Sequence, residues 1–314
     1  MLTCMRWGAA DIQQCQKDDC GAVESHYWIA SRKQWRCKVC SSSFSVTSNT
    51  IFADHKKPVN DIVLIIYLFA TSPKGAAALQ ISHWLKMTEK AAWVICHKLR
   101  EAMIAHEDPT PLEGEVEIDG ARFNASMRKA NHKKNRRDAR LEKHQNPNRV
   151  EMIAMRQRGL KGEGASRSKV GIVRRESDPE TIAVIKDSVA RTAHVITDAA
   201  PVYNLLLGSY RISTVNHDEC YSNALGVNQN QAESFFARVR RGEMGQYHRF
   251  SKQYLHTYGS EFVFREDKRR WDDARTTREL IAQAISTPRD RSSFVGYWQR
   301  SKRAAAREID TIAL

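Results

Sequence analysis

Glu115-Val116-Glu117-Ile118-Asp119 alternates strictly, setting Val116 and Ile118 on one face of a β-strand and three acids on the other. Upstream of this stretch the apolar spacing is helical; downstream it is that of strands. Val150 to Arg156 and Lys169 to Arg174 read as two further strands. Asp178 to Ala190 reads as a helix, with Asp178 as N-cap and Pro179 in its first position. Ala193 to Thr197 is a fourth strand, running into Asp198-Ala199-Ala200-Pro201, and helices follow. Three strands, a helix, a strand and then helices predict an α/β fold with a mixed sheet and flanking helices. If the fourth strand pairs with the first, Asp119 and Asp198 become neighbours.

A third acid comes from the stretch Val215 to Arg265. There Ala232, Phe235, Phe236 and Val239 fall at i, i+3, i+4 and i+7, the apolar stripe of an amphipathic helix. Glu233 and Arg240 stand seven apart, about two turns, along another face, with the small Ala237 between them. A carboxylate to hold a cation beside a guanidinium to hold an oxyanion suits a metal-assisted reaction on phosphate. The competing reading is a solvated charge pair on a surface helix. Asp119, Asp198 and Glu233, drawn together from three elements, would repel one another unless divalent cations sat between them. Such a layout fits two metals about 3.5–4 Å apart acting on a phosphodiester.

The totals narrow the partner. The chain has 314 residues, 41% hydrophobic and 27% charged, as a soluble globular protein does. A net charge of +14 favours a polyanion, since Lys and Arg gain affinity by releasing counterions from phosphates. The longest apolar run, Ile62 to Ala70, falls far short of the roughly 20 residues that span a bilayer. No signal peptide opens the chain, so we expect a cytoplasmic protein with no membrane partner.

Seven cysteines, an odd number without an export signal, argue for metal binding over disulfides. Cys15 and Cys20 form one close pair, Cys37 and Cys40 another, with sixteen residues between the pairs. That is the layout of a zinc ribbon, each pair on a tight knuckle and four thiolates completing a tetrahedron around one structural Zn²⁺. Gly21 and Ser41, each following the second cysteine of its pair, are small enough for such turns. Cys4, Cys96 and Cys220 have no partner at ligand spacing and read as packing residues. Trp7, Tyr27, Trp28 and Trp35, interleaved with Arg6, Arg32, Lys33, Arg36 and Lys38, fit either a nucleic-acid surface or a cover for the ribbon core.

Beyond the ribbon, Ile62, Ile65, Ile66 and Phe69 have helical spacing, broken at Ser72-Pro73-Lys74-Gly75. Ala76 to Leu85, a turn at Lys86-Met87-Thr88, and Glu89 to Met103 make a helix–turn–helix pattern, with Thr88 as N-cap and Ala91, Val94, Ile95 and Leu99 as the buried face. Between the first two strands lies Arg128 to Arg149, where nine Lys or Arg against Asp138 and Glu142 leave a net +7, half the excess of the whole chain. It reads as a solvated loop expected to be disordered without ligand and, compatibly, as a DNA-backbone contact close to the active site, with Arg128, Lys129, Lys133, Lys134, Arg136 and Arg137 as the candidates. The last 48 residues read as charged and helical, with Leu280, Ala284 and Ile285 on one stripe and Phe294, Tyr297 and Trp298 on another. Four regions are therefore expected: residues 1–57 a zinc ribbon, 58–110 a helix–turn–helix region, 111–266 a catalytic domain and 267–314 a helical tail.

Taken together, these pieces resemble the insertion-sequence transposases of the IS1595 group (ISXO2-like). The residues that carry the resemblance start with Cys37-Lys38-Val39-Cys40, Phe44-Ser45-Val46-Thr47-Ser48, Thr50-Ile51-Phe52 and Lys74-Gly75. Val116-Glu117-Ile118-Asp119, Thr197-Asp198, Val215-Asn216-His217, Asn230 and Glu233-Ser234-Phe235 follow. Gly245-Gln246-Tyr247-His248 and Glu261-Phe262-Val263-Phe264-Arg265 complete the series. The resemblance implies a ribonuclease-H-like fold with a DDE-type triad that cuts transposon ends and joins them to target DNA. It further implies two catalytic Mg²⁺ ions, terminal inverted repeats and target DNA as partners, and a homo-oligomer in the synaptic complex. Asp119, Asp198 and Glu233 then look like the three acids. Arg240 stands where the family usually has Lys. Asn230, one turn before Glu233, is the alternative third ligand, disfavoured because an anion binds a hard cation better than an amide does. Glu117 competes with Asp119 for the first position, and His217 and Glu261 are supporting candidates.

Three departures stand out. The first cysteine pair is separated by four residues where the family has two, Gly120 follows Asp119 where an acid is common, and the chain begins almost at the ribbon, from which we expect the loss of a segment seen upstream in relatives. Two other classes compete: a zinc-ribbon transcription regulator without chemistry, and a ribonuclease-H-like nuclease that cuts without joining.

Overall fold

Thiols and aromatic rings make the core of the first residues: Cys15, Cys37 and Phe44 are buried, with Trp7 and Trp35 packed on them. The computed structural model describes residues 1–124, 131–135, 138, 141, 146, 149–160, 162–177, 179–215 and 229–297. Contacts divide the chain into one unit formed by Met1–Glu107 with Trp271–Leu314 and a second formed by Asp108–Arg270.

The first unit opens with helix α1 (Leu2–Trp7) and the strand pair β1 (Gln13–Gln14) and β2 (Val23–Glu24). A three-stranded antiparallel sheet follows, of β3 (Tyr27–Ile29), β4 (Gln34–Arg36) and β5 (Ser43–Phe44). Helices α2 (Val59–Thr71), α3 (Ala78–Trp84) and α4 (Glu89–Ala105) come next, and α2 buries the Ile62, Ile65, Ile66 and Phe69 stripe. Thr88 caps α4, its hydroxyl accepting from the Ala91 N–H at 3.3 Å. Replacing it by Ala leaves that N–H unpaired and costs about 1 kcal/mol; thermal unfolding of a Thr88→Ala variant checks this. The buried face of α4 differs from expectation. Ala92, Val94, Cys96, Leu99 and Met103 are buried, whereas Ala91 and Ile95 are half-exposed.

In the second unit the alternation at 115–119 runs on as a nine-residue strand, β6 (Glu115–Phe123). β7 (Val150–Arg158) and β8 (Ala165–Val173) complete an antiparallel meander. After α5 (Pro179–Ser188) the chain returns as β9 (His194–Asp198), which pairs parallel with β6. A fifth strand that sequence reading missed, β10 (Arg211–Val215), pairs parallel with β9. The sheet order is thus β10-β9-β6-β7-β8.

Both faces of this sheet are covered. Val116 and Ile118 pack with Ile153, Met155 and Val173 under Ile182 and Ile185 of α5, together with Tyr203 and Leu206. Gly171 makes the close seating of α5 feasible, since a Cβ there would stand 2.2 Å from Val184 Cγ1. On the other face Phe123, Met152, Ala154 and Val170 meet α6 (Asn230–Gly242) and α7 (Leu255–Asp267) through Phe235, Phe236, Val239, Leu255, Tyr258 and Phe262. A buried ion cluster ties the same three elements together. Glu266 of α7 accepts from Arg156 of β7 at 3.3 Å and from Arg238 of α6 at 2.8 Å. Burying each large apolar side chain stabilises by about 1.5–3 kcal/mol, so this two-sided core fixes where α6 lies on the sheet.

Helix α8 (Asp273–Ser286) belongs to the first unit, where it packs against α2 and α4. The Gln283 carbonyl lies 3.1 Å from His106 Nε2, and Ile51 N–H donates to the Thr287 carbonyl at 3.2 Å. Among the described residues no helix is long and apolar enough to cross a membrane.

Candidate active site

Parallel pairing of their strands brings the first two acids close enough to act on each other. Glu117 on β6 pairs with Ile196 on β9; Asp119 lies two residues further along β6, and Asp198 two residues further along β9, at its end. Asp119 Oδ1 accepts from the Gly120 N–H at 2.8 Å, and Asp198 Oδ1 from the Ala200 N–H at 3.1 Å. Glu233 projects from the first turn of α6, a helix whose stripe of Ala232, Phe235, Phe236 and Val239 is buried against the sheet.

The start of α6 is tied directly to β6. Glu117 is fully buried, and its Oε2 accepts from the Gln231 and Ala232 N–H groups at 2.7 and 3.1 Å. Its Oε1 accepts from Arg158 Nε at 2.7 Å. The Gln229 side-chain amide adds a bond to the Ile118 carbonyl at 3.0 Å.

A fourth acid, Glu176, joins this end of the sheet and was not among the sequence candidates. Its backbone N–H donates to Glu151 at 2.6 Å, and its Oε1 accepts from the Tyr203 hydroxyl at 2.5 Å. The Glu176 carboxyl carbon sits where a side chain on Gly120 would begin, 2.4 Å from the position a Cβ would take. Gly120, the departure noted in the sequence, is therefore the residue that gives Glu176 its place.

Electrostatics record the convergence. Burial, together with Glu176, Asp198 and Glu233, pushes the Asp119 carboxyl up to about 7 against the opposing Gly120 N–H. Burial and Asp198 likewise raise Glu176, although the Tyr203 hydroxyl opposes them. Crowded hard oxygen donors of one sign are a set that a divalent cation relieves. They are not drawn in as tightly as a ligand shell: among the described residues, no three carboxylates approach within the 4.8 Å that the four thiols do.

Arg240 lies in the last turn of α6, the helix that carries Glu233. Its guanidinium stacks over the Phe123 ring at 4.1 Å, pairs with Glu243 at 3.1 Å and donates to the Arg122 carbonyl. Asn230 is the exposed first residue of α6. Glu261 is buried within α7, where its Oε1 accepts from the Tyr247 hydroxyl at 2.6 Å and from Arg265 at 2.7 Å. Lys133 and Lys134 are exposed on a short turn, Lys133–Asn135. His217, Arg128, Lys129, Arg136 and Arg137 lie outside the described residues.

In the first unit Cys15, Cys20, Cys37 and Cys40 meet, all four sulfurs lying within 4.8 Å of one another. Cys15 Sγ and Cys40 Sγ are 3.6 Å apart, and Cys20 Sγ and Cys37 Sγ 3.8 Å. A tetrahedron of sulfurs around zinc at about 2.3 Å would space them at about 3.8 Å, so these four can hold such a metal. Gly21 and Ser41 both take left-handed backbone, φ 57° and 59°, as the two knuckles require. The longer first pair does not prevent convergence. Hydrogen bonds from Ser42 pull the Cys40 thiol down to about 6. Cys20 is held up at about 11, where burial and its three sulfur neighbours outweigh the Ala22 N–H. Four thiolates of one charge need a cation to ionise together.

The family model described as ISXO2-like transposase domain matches residues 111–267, which contain every acid of the cluster. No match is found among curated proteins.

Proposed function

Because the chain belongs to the ISXO2-like transposase domain family, we propose that it is a DDE-type DNA transposase with a ribonuclease-H-like catalytic domain. Family membership implies a DNA-cutting and DNA-joining enzyme. The observation that supports the residue assignment is the parallel pairing of β6 with β9, together with the electrostatic influence of Asp198 and Glu233 on Asp119.

In this reading Asp119, Asp198 and Glu233 hold two Mg²⁺ ions, and Glu233 takes precedence over Asn230 as the third ligand. Bound Mg²⁺ supplies an activated oxygen nucleophile and charge relief at the leaving oxygen. The acids fix where the scissile phosphate comes to rest, held in line between attacking and leaving groups. Arg240, with its guanidinium plane set by the Phe123 ring, neutralises a phosphate oxygen as charge builds. Water first cleaves the transposon end and frees a 3′-OH. That hydroxyl then attacks a target phosphodiester, forming one P–O bond as another breaks. The four cysteines hold a structural zinc ribbon. The ribbon and the α3–α4 pair recognise terminal inverted repeats, while Arg128, Lys129, Lys133, Lys134, Arg136 and Arg137 grip backbone phosphates. Two ends must meet for joining, so the working form is a homo-oligomer on DNA.

A strand-transfer assay on DNA carrying the element's ends, with and without Mg²⁺, tests this. The expected result is cleaved ends joined to target, only when Mg²⁺ is present. Cutting without joining would make the protein a nuclease; tight end binding with neither reaction would make it a regulator.

A further inference from the structure

We infer that Glu117 is a positioning residue that sets the distance between Asp119 and Glu233. The inference rests on the reading of those two acids as partners on one cation site. Glu117 lies two residues before Asp119 on the same face of β6, and its Oε2 accepts from the two N–H groups that immediately precede Glu233. One carboxylate therefore bridges the strand that carries the first acid and the helix that carries the third.

The geometry separates this role from that of a ligand. Both Glu117 oxygens are committed, Oε1 to Arg158 at 2.7 Å and Oε2 to Gln231 and Ala232 at 2.7 and 3.1 Å, and the side chain is fully buried. A carboxylate suits the place, since it faces only donors and lies at the positive end of a helix. An amide does not, because its NH₂ would have to point at Arg158 or at the helix N–H groups. Gln229, bonded to the Ile118 carbonyl at 3.0 Å, is a second tether between the same elements.

Mn²⁺ binding to the full-length protein, without DNA, tests the inference by calorimetry. The variants are Glu117→Gln, Glu233→Gln, their combination, Gln229→Ala and Asp119→Asn, with circular dichroism confirming that each folds. Glu117→Gln should weaken Mn²⁺ binding by about tenfold or more, the cost typical of losing a group that orients a metal ligand. Because Glu117 acts through Glu233, the double variant should bind within about twofold of Glu233→Gln alone. Gln229→Ala should show a smaller loss, about threefold, with the same dependence on Glu233. If Glu117→Gln does not fold, Gln229→Ala carries the test. Unchanged affinity in Glu117→Gln, or losses that add in full to that of Glu233→Gln, would overturn the positioning role. If Asp119→Asn and Glu233→Gln both bind Mn²⁺ as the wild type does, the cation site itself is wrong.

Discussion

Removing the zinc proposed for the four cysteines, by a strong chelator or by Cys37→Ser, should unfold the strands between Gln13 and Phe44 while the helices of the first unit persist. Little else holds this segment. Its buried apolar cluster is Cys15, Cys37 and Phe44, with Trp7 and Trp35 packed around them. A few side chains at about 1.5–3 kcal/mol each do not offset the entropy of ordering some thirty residues. Structural zinc contributes about 10–16 kcal/mol, and it links both knuckles at once. Trp35 reports the change, because its ring lies 4.7 Å from Trp28 and 5.4 Å from Trp7. Chelation should alter tryptophan emission and open the segment to protease, with little loss of helical circular dichroism. If emission and protease resistance survive complete chelation, the thiols are ordinary packing groups and the ribbon reading fails.

Some of this molecule was legible because local pattern and tertiary burial coincide. The stripe Ala232, Phe235, Phe236 and Val239 is buried as helical spacing demands. The alternation at Glu115–Asp119 does continue a strand, and that strand does pair with the one that ends in Asp198. Other features depend on contacts that no local period encodes. Glu176 owes its place to the missing side chain of Gly120 and to Tyr203, both distant in sequence. Glu117 and Asp119 are equivalent in the strand pattern. Only the arrival of the α6 N-terminus separates a helix anchor from an acid left to face its like. β10 is short, and its only fully buried residue is Val215, so it gave almost no alternation. On α4 the face predicted from spacing missed Ala92 and Cys96, because α3 and α8 cover the helix from more than one side.

Asp119→Asn should lower end cleavage and joining by at least about a thousand-fold, some 4 kcal/mol of transition-state stabilisation, while end binding stays within a few-fold of wild type. The separation follows from where the charge sits. Asn keeps the shape and can still accept from the Gly120 N–H, and only the negative charge offered to a cation is lost. Stability without metal should move the other way. Burial and the neighbouring acids hold the Asp119 carboxyl at about 7 in the folded chain, against 3.8 ordinarily. The folded state therefore binds a proton that the unfolded state has released, so stability falls as pH rises through that window. Asn cannot ionise. Metal-free Asp119→Asn should thus match wild type near pH 4 and exceed it above pH 7, by up to about 4 kcal/mol in denaturant unfolding. Adding Mg²⁺ at pH 8 should then stabilise wild type and leave the variant nearly unmoved, because the cation relieves a repulsion the variant no longer has. A variant that still joins ends in Mg²⁺, or one less stable than wild type at pH 8 without metal, would show that Asp119 is a structural acid and that the cation site lies elsewhere.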